Sequence, residues 1–327
     1  MGRRDGAPTQ CPPPQPRSPR SALPPSLAAA GFAAAAFAAA PGAAAEPAPP
    51  PASSEAGGAD VYALPATPPP LPSTPVTLLQ YEVCPFCCKV KAVLDYYRVP
   101  YVAVEVSPLT KRQLKAAAPG AKKVPVALID GDTLADSSAI ISRIAASARA
   151  AGRGPAPPRA RGWLRGGRGA AAADADKEAA WRRWVDGRLV KVVTVNIYRT
   201  GREAWQTFDY ITEAGDFGGA LEKAASRVVG AGMMWAIAGR LAKRYGVDGE
   251  ARDALAAAAA EWVSGALDGA PFAGGASPDL ADLSAFGVWR AVRGTDTFGD
   301  AMGGSAALRE WYARVEAAVG PGARVDA

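Results

Sequence analysis

From Pro75 onward the chain alternates between two apolar rhythms. Val76–Tyr81 (VTLLQY) and Tyr101–Val106 (YVAVEV) are short apolar runs of strand length. Between them Phe86, Val90, Val93, Leu94 and Tyr97 recur at helical spacing, with Pro85 in a first turn, where a helix tolerates proline, and Pro100 closing the element. Residues 108–118 suit a second helix. Val124–Ile129, containing Pro125, reads as a third strand, and Asp130-Gly131 offers a hairpin turn into a fourth. Asp136-Ser137-Ser138 then supplies capping residues ahead of an apolar helix over 139–148.

The order β-α-β-α-β-β-α predicts an α/β thioredoxin-like (glutaredoxin-like) domain over 76–150, with Cys84 at the junction of first strand and first helix. Residues 174–319 read as an all-helical domain. Trp181, Trp184, Val185, Leu189, Val192 and Val193 form one apolar stripe, and Asp279 with Asp282 marks a capped helix start. Val228–Ala238 (VVGAGMMWAIA) is nearly uncharged and too short to span a bilayer, which predicts a fully buried core helix; core packing is also the default for Met233, Met234 and Trp235. The stretch 151–173 is rich in Gly, Pro, Ala and Arg and reads as a flexible linker; 320–327 reads as a tail. Residues 1–75 are crowded with Pro and Ala and read as a disordered targeting arm. Their Arg-rich, acid-poor start suits an organelle transit peptide, for a mitochondrion or a chloroplast, and the uncharged run at 27–45 is a candidate hydrophobic anchor.

Charge and composition narrow the chemistry. The formal charge is +6, but outside the arm and the linker 28 basic residues face 27 acidic ones. A nucleic-acid binder needs a basic face on its folded part, so that class is set aside. The chain has no histidine. This removes serine–histidine and cysteine–histidine catalysis, most zinc sites and histidine-ligated haem. Proton transfer falls to Cys, Tyr, Asp, Glu, Lys or water. Of four cysteines, Cys84, Cys87 and Cys88 lie within five residues and Cys11 is far away, which defines one thiol centre in place of a disulfide framework.

A thiolate at a helix N-terminus is stabilised by unpaired backbone N–H groups and the helix dipole. Cys84, the N-terminal member of Cys-Pro-Phe-Cys, is therefore the expected nucleophile, and Cys87, one turn on, the resolving thiol. Lys89 and Lys91 add positive charge nearby, while Cys88 points away and packs. The alternative of a zinc site lacks a fourth ligand. Val124-Pro125 falls where a thioredoxin-like fold carries a cis-proline facing the active cysteine, so that Val124 offers backbone groups to an extended peptide. Asp136 and Ser137 at a helix N-terminus suit a small carboxylate and an ammonium, the groups at the γ-glutamyl end of glutathione.

Cys84-Pro-Phe-Cys87, Val124-Pro125 and Asp136-Ser137-Ser138, followed by the helical half with Asp279 and Asp282, resemble the glutathione transferase superfamily. Leu79-Gln-Tyr81, Trp181-Arg-Arg-Trp184, Asn196-Ile-Tyr-Arg-Thr200 and Pro271-Phe-Ala-Gly-Gly275 extend the resemblance, from about Val76 to Glu316, to the type 2 prostaglandin E synthase family within it. The resemblance implies a glutathione transferase-like C-terminal domain and a homodimer that binds glutathione, with haem as a possible second group beside it. It also implies a hydrophobic N-terminal segment able to associate with membranes. The implied activity is isomerisation of a prostaglandin H2-type lipid endoperoxide to the E-type ketone. By motif position, Cys84 is the essential thiol, Tyr81 and Phe86 line its pocket, and Val124, Pro125, Asp136 and Ser137 hold glutathione. Tyr81 is the candidate proton donor. Two alternatives remain: a glutathione-dependent thiol–disulfide oxidoreductase acting on a disulfide substrate, in which Cys87 also cycles, and a non-enzymatic glutathione–haem carrier.

Overall fold

The computed structural model describes residues 60–108, 110–154, 168–208, 219–247 and 249–326. The first elements follow the order read from the apolar pattern: Val76–Gln80 (β1), Pro85–Tyr96 (α1), Tyr101–Glu105 (β2), Arg112–Ala117 (α2), Val126–Ile129 (β3), Asp132–Ala135 (β4) and Ser137–Ala150 (α3). They form a thioredoxin fold with strand order β2-β1-β3-β4, β1 and β2 parallel and the other pairs antiparallel. The parallel pair needs a crossover, which α1 supplies. The β3–β4 turn has positive φ at both Asp130 (49°) and Gly131 (93°), as a tight hairpin turn requires.

The helical region contains Arg168–Trp184 (α4), Val190–Ile197 (α5), Gly201–Thr207 (α6), Ala220–Tyr245 (α7), Ala251–Glu261 (α8), Leu280–Ala291 (α9), Asp296–Gly304 (α10) and Ala306–Val319 (α11). Two π-helical turns interrupt it, Val185–Leu189 after α4 and Trp262–Leu267 after α8. The capping box at α9 forms as its spacing predicts: Asp279 accepts from Ala281 N and Asp282 N, and Asp282 accepts from Asp279 N. Buried Asp282 also accepts from Ala273 N, Gly274 N and, at 2.8 Å, from Trp311 Nε1. One carboxylate thereby ties α9 to the preceding loop and to α11. Trp181, Trp184, Trp262 and Trp311 pack ring on ring beside it.

The sheet domain and the helices share a continuous core, and α9 lies directly on α1. Gly287 permits that approach: a Cβ there would sit 2.5 Å from Lys89 Cα. The outer strand β2 is covered by the end of the chain, since Tyr101 N–H donates to Ala323 O (3.2 Å) and Val325 N–H to Tyr101 O (2.9 Å).

Three expectations need correction. The Val228–Ala238 run is not a fully buried core helix. It lies within α7, 26 residues long, and Val228, Val229, Met233 and Trp235 are exposed. An uncharged run fixes neither which face is covered nor whether any is. The helix α4 begins at Arg168, inside the stretch read as linker, because the run Ala170–Ala173 favours helix; residues 155–167 lie outside the described residues. The part of the arm from 60 to 75 is packed on the folded body: Arg182 donates to Tyr62 O (2.7 Å), Ser142 Oγ to Val61 O, and Ser73 to Asp130. The candidate anchor at 27–45 lies outside the described residues. Among the described residues no helix is long and apolar enough to cross a membrane.

Candidate active site

The register of the sheet assembles the site. Leu79 of β1 pairs with Val126 of β3, and Val126 with Ala135 of β4. One step beyond this row, at the same edge of the sheet, come the Tyr81–Cys84 loop, Val124-Pro125 and Asp136-Ser137. Residues separated by more than 50 positions therefore converge because three strands end together. Tyr81 and Val124 pack against the same small cluster of Leu79, Val106, Leu114 and Val126. The Val124–Pro125 bond is cis.

Cys84 is the N-cap residue of α1, with extended φ/ψ (−73°, 121°) and Pro85 following. Its N–H donates to Tyr81 O (3.0 Å), which closes the loop, and Cys88 N–H donates to Cys84 O (2.9 Å), which opens the helix. The Cys84 thiol is half-buried, and Cys87 and Cys88 are buried. The Cys84 pKa is held below the ordinary thiol range. The first cause is a hydrogen bond from the Cys87 thiol. Burial opposes it, while the Cys87 and Phe86 N–H groups, which turn toward the sulfur without full cap geometry, and the charge of Lys91 assist. Cys87 is pushed the other way, by burial and then by the bond and charge of Cys84. The two thiols thus divide into a more acidic Cys84 and a less acidic Cys87 that donates to it. In the Cys87→Ala variant the Cys84 titration is expected to move up, because the largest stabilising contact is gone. The pH dependence of iodoacetamide labelling measures this, and an unmoved midpoint would contradict the assignment.

Cys88 packs, as expected, and its thiol donates to Glu82 O (3.1 Å). Of the two lysines, Lys91 supplies its charge near the thiol as expected and Lys89 does not. Lys91 faces the loop and bonds Glu82 O (3.2 Å) and Glu82 Oε1 (2.7 Å). Lys89 turns away from the thiol into an ion pair with Asp186, because successive odd positions on a helix point about 200° apart. Its ammonium lies 5.4 Å from the centre of the half-buried Phe86 ring, which belongs to the first turn of α1.

The Asp136 side chain caps α3, accepting from Ser138 N (2.8 Å) and Ala139 N (3.0 Å). Ser137 is buried, yet among the described residues its hydroxyl takes no hydrogen-bond partner. Its N–H is one of those that a helix start leaves unpaired. The two donors thus suit a small carboxylate, and Asp136 is exposed beside them. Among the described residues no three His, Cys, Asp or Glu side chains converge as a metal-ligand set.

The helical region contributes groups that the sequence reading missed. Asp186, in the first π-helical turn, accepts from Ser138 Oγ (2.8 Å) and from Tyr62 OH (3.1 Å) as well as pairing with Lys89. Tyr198, at the C-terminal end of α5, is close enough to Cys84 for the thiolate to add to the rise in its own pKa, which burial dominates. A second phenol, on the helical side, thus lies within electrostatic range of the thiol. Tyr81 is pushed up to about 12, by burial first and then by Cys84 and Cys87, and stays protonated.

Glu105 is the other group not foreseen. It sits at the end of β2 beneath the loop, accepts from Glu82 N (3.0 Å) and Gln80 Nε2 (3.3 Å), and is raised by burial to about 7. Because the folded state holds this proton more tightly than the unfolded chain, stability is full below about pH 4.3 and declines as pH rises toward 7, by up to about 3 kcal/mol. Glu105→Gln is expected to be more stable than wild type at pH 8 and equal to it at pH 4. Denaturant titrations at the two pH values check this, and equal stabilities at both would contradict it.

A mixed four-stranded thioredoxin sheet, a helix-terminal thiol and a helical region packed on it define a glutathione transferase-like protein, and residues 78–152 match the family Glutathione S-transferase, N-terminal domain. Prostaglandin E synthase 2 of Mus musculus is 35% identical over 280 residues, covering 76% of this chain and 71% of that one. The Danio rerio protein of the same name is 34% identical, covering 74% and 71%. The chain belongs to the prostaglandin E synthase 2 family. Among solved structures, the β-etherase LigF from Sphingobium sp. aligns over 75% of this chain and 96% of its own with 17% identity and a TM-score of 0.48. The family and the fold place the chain among glutathione-related enzymes.

Proposed function

We propose that this chain binds glutathione and isomerises a prostaglandin H2-type lipid endoperoxide to the E-type ketone, with Cys84 as the reacting thiolate. The observation that carries the reading is the half-buried Cys84 sulfur at the start of α1, held toward the thiolate by Cys87 and the helix N-terminus. Val124, Pro125, Asp136 and Ser137 would seat glutathione: Val124 through its backbone, Ser137 through its N–H and hydroxyl, and Asp136 against the ammonium. Bound glutathione supplies a second thiol and fills the polar end of the site.

The steps at Cys84 balance without an external redox partner. The thiolate attacks the endoperoxide oxygen on the ring carbon that becomes the ketone. The O–O bond breaks toward the other oxygen, which takes a proton and becomes the ring hydroxyl. Loss of the proton on the first carbon forms the carbonyl, breaks the S–O bond and returns the thiolate. Tyr81, protonated and beside the sulfur, is the donor to the departing oxygen. Phe86 walls the thiol with an apolar ring suited to the lipid. Tyr81→Phe is expected to lower turnover on the order of a hundredfold with little change in substrate KM. An unchanged rate would remove Tyr81 from this role and leave Tyr198 as the remaining phenol.

The contact between the Cys84 and Cys87 thiols favours a second reading, a glutathione-dependent thiol–disulfide oxidoreductase. The readings separate on Cys87, which disulfide chemistry on proteins needs and endoperoxide isomerisation does not. Parallel assays with prostaglandin H2 and with a mixed glutathione disulfide test this on wild type, Cys84→Ser and Cys87→Ser. Turnover of the disulfide alone would decide for the oxidoreductase.

A further inference from the structure

Large apolar side chains of two adjacent helices remain in water. Trp205 of α6 and Val228, Val229, Met233 and Trp235 of α7 are between 43 and 59% exposed. They form one patch: a Cβ on Gly201 of α6 would lie 4.0 Å from the Trp235 ring, and the Arg227 guanidinium stands 4.1 Å from the centre of the Trp205 ring. At 100° per residue, Val228, Val229, Met233 and Trp235 share one half of the α7 circumference with Arg240, Lys243 and Arg244, all exposed. From Ala224 to Val247 the sequence holds neither Asp nor Glu. The face is therefore apolar along its middle and cationic toward its C-terminal end.

We propose that this face docks on the surface of an anionic lipid bilayer, with Trp235, Met233, Val228 and Val229 entering the headgroup region and Arg240 and Lys243 lying against lipid phosphates. Tryptophan and methionine beside arginine and lysine suit the boundary between headgroups and acyl chains, where one end of a side chain is apolar and the other wet. Charge argues against a second copy of the chain as occupant: the same stretch of helix in a partner has no carboxylate to meet these cations. Length and composition argue against a span, since α7 does not reach the apolarity needed to cross. The surface is built from residues 201–243 alone and is independent of what Cys84 reacts with.

Co-sedimentation of the full chain with vesicles tests the assignment, using phosphatidylcholine alone and phosphatidylcholine mixed with phosphatidylglycerol. Wild type is expected to bind the anionic vesicles and to be released by added salt. A Met233→Glu/Trp235→Glu variant and an Arg240→Glu/Lys243→Glu variant are each expected to bind at least about tenfold more weakly. Their thermal midpoints are compared with wild type. The second variant changes only exposed polar ends, so it remains informative if the first unfolds. Wild-type affinity in the variants would assign any lipid binding to another segment and overturn the proposal, as would a wild type that binds neither vesicle. Conversion of a dimer to a monomer in light scattering, with vesicle binding unchanged, would give the face to a second copy and overturn it equally.

Discussion

Cys84→Ser is expected to lower endoperoxide turnover by at least about a thousandfold while leaving the thermal midpoint within a degree or so of wild type. A serine hydroxyl at this position is the same shape but stays protonated near neutral pH, so the helix start has no anion to stabilise. The structural cost is small because the Cys84 side chain closes no formal cap and is only half-buried. Cys87→Ser provides the contrast. Its hydroxyl still donates toward Cys84, so endoperoxide turnover is expected to fall by no more than a few-fold, while turnover of protein disulfides collapses. Steady-state rates for both variants on both substrates measure the effect. A Cys84→Ser protein that keeps most of its isomerase rate would place the reacting thiol elsewhere, on bound glutathione before any other group.

The largest effect on stability is expected at Asp186. This carboxylate pairs with Lys89, whose side chain is 1% exposed, and accepts from Ser138 and Tyr62. Asp186→Ala strands a buried ammonium and leaves two hydroxyls without their acceptor. Breaking such a pair from one side costs about 3–5 kcal/mol, or a fall in melting temperature of roughly 10 °C for a protein of this size. Removing the charge as well, in Asp186→Ala/Lys89→Met, is expected to recover much of the loss, since the penalty comes from the stranded cation. Urea melts of the two variants read this directly. A single variant within 1 kcal/mol of wild type would mean that water reaches Lys89 once Asp186 is gone. The same carboxylate joins α1, which carries the thiols, to α3, which carries Ser137, so glutathione affinity is expected to fall in the single variant too.

Much of the first domain was legible because its signals are local. Strand-length apolar runs, Asp130-Gly131 at a turn that demands positive φ, and Asp136 ahead of an apolar helix each act within a few residues of themselves. The Asp279–Asp282 box was legible for the same reason. Asp186 was not. The π-helical turn in which it lies shifts the angular position of every residue after Val185, so a periodic reading of the stripe from Trp181 places it without reference to Lys89 or Ser138. Glu105 and Tyr198 gain their surroundings from strands and helices remote in sequence, and neither stands in a motif that names a charge partner. The α7 patch was misread for a different reason. Val228–Ala238 has the composition of a core helix, and composition does not distinguish a face turned inward from one turned out.

The closing of the β2 edge by Ala323 and Val325 has a consequence for the chain as it is made. The outer strand of the first domain leaves the ribosome more than two hundred residues ahead of the segment that covers it. At ordinary elongation rates this strand edge waits roughly 10–45 seconds for its partner. During that interval the N–H and C=O of Tyr101, at the start of the strand, lack these partners, and an unpaired strand edge is a surface on which other chains can template. Ala323 and Val325 therefore protect the start of β2 only after most of the helical region has been made.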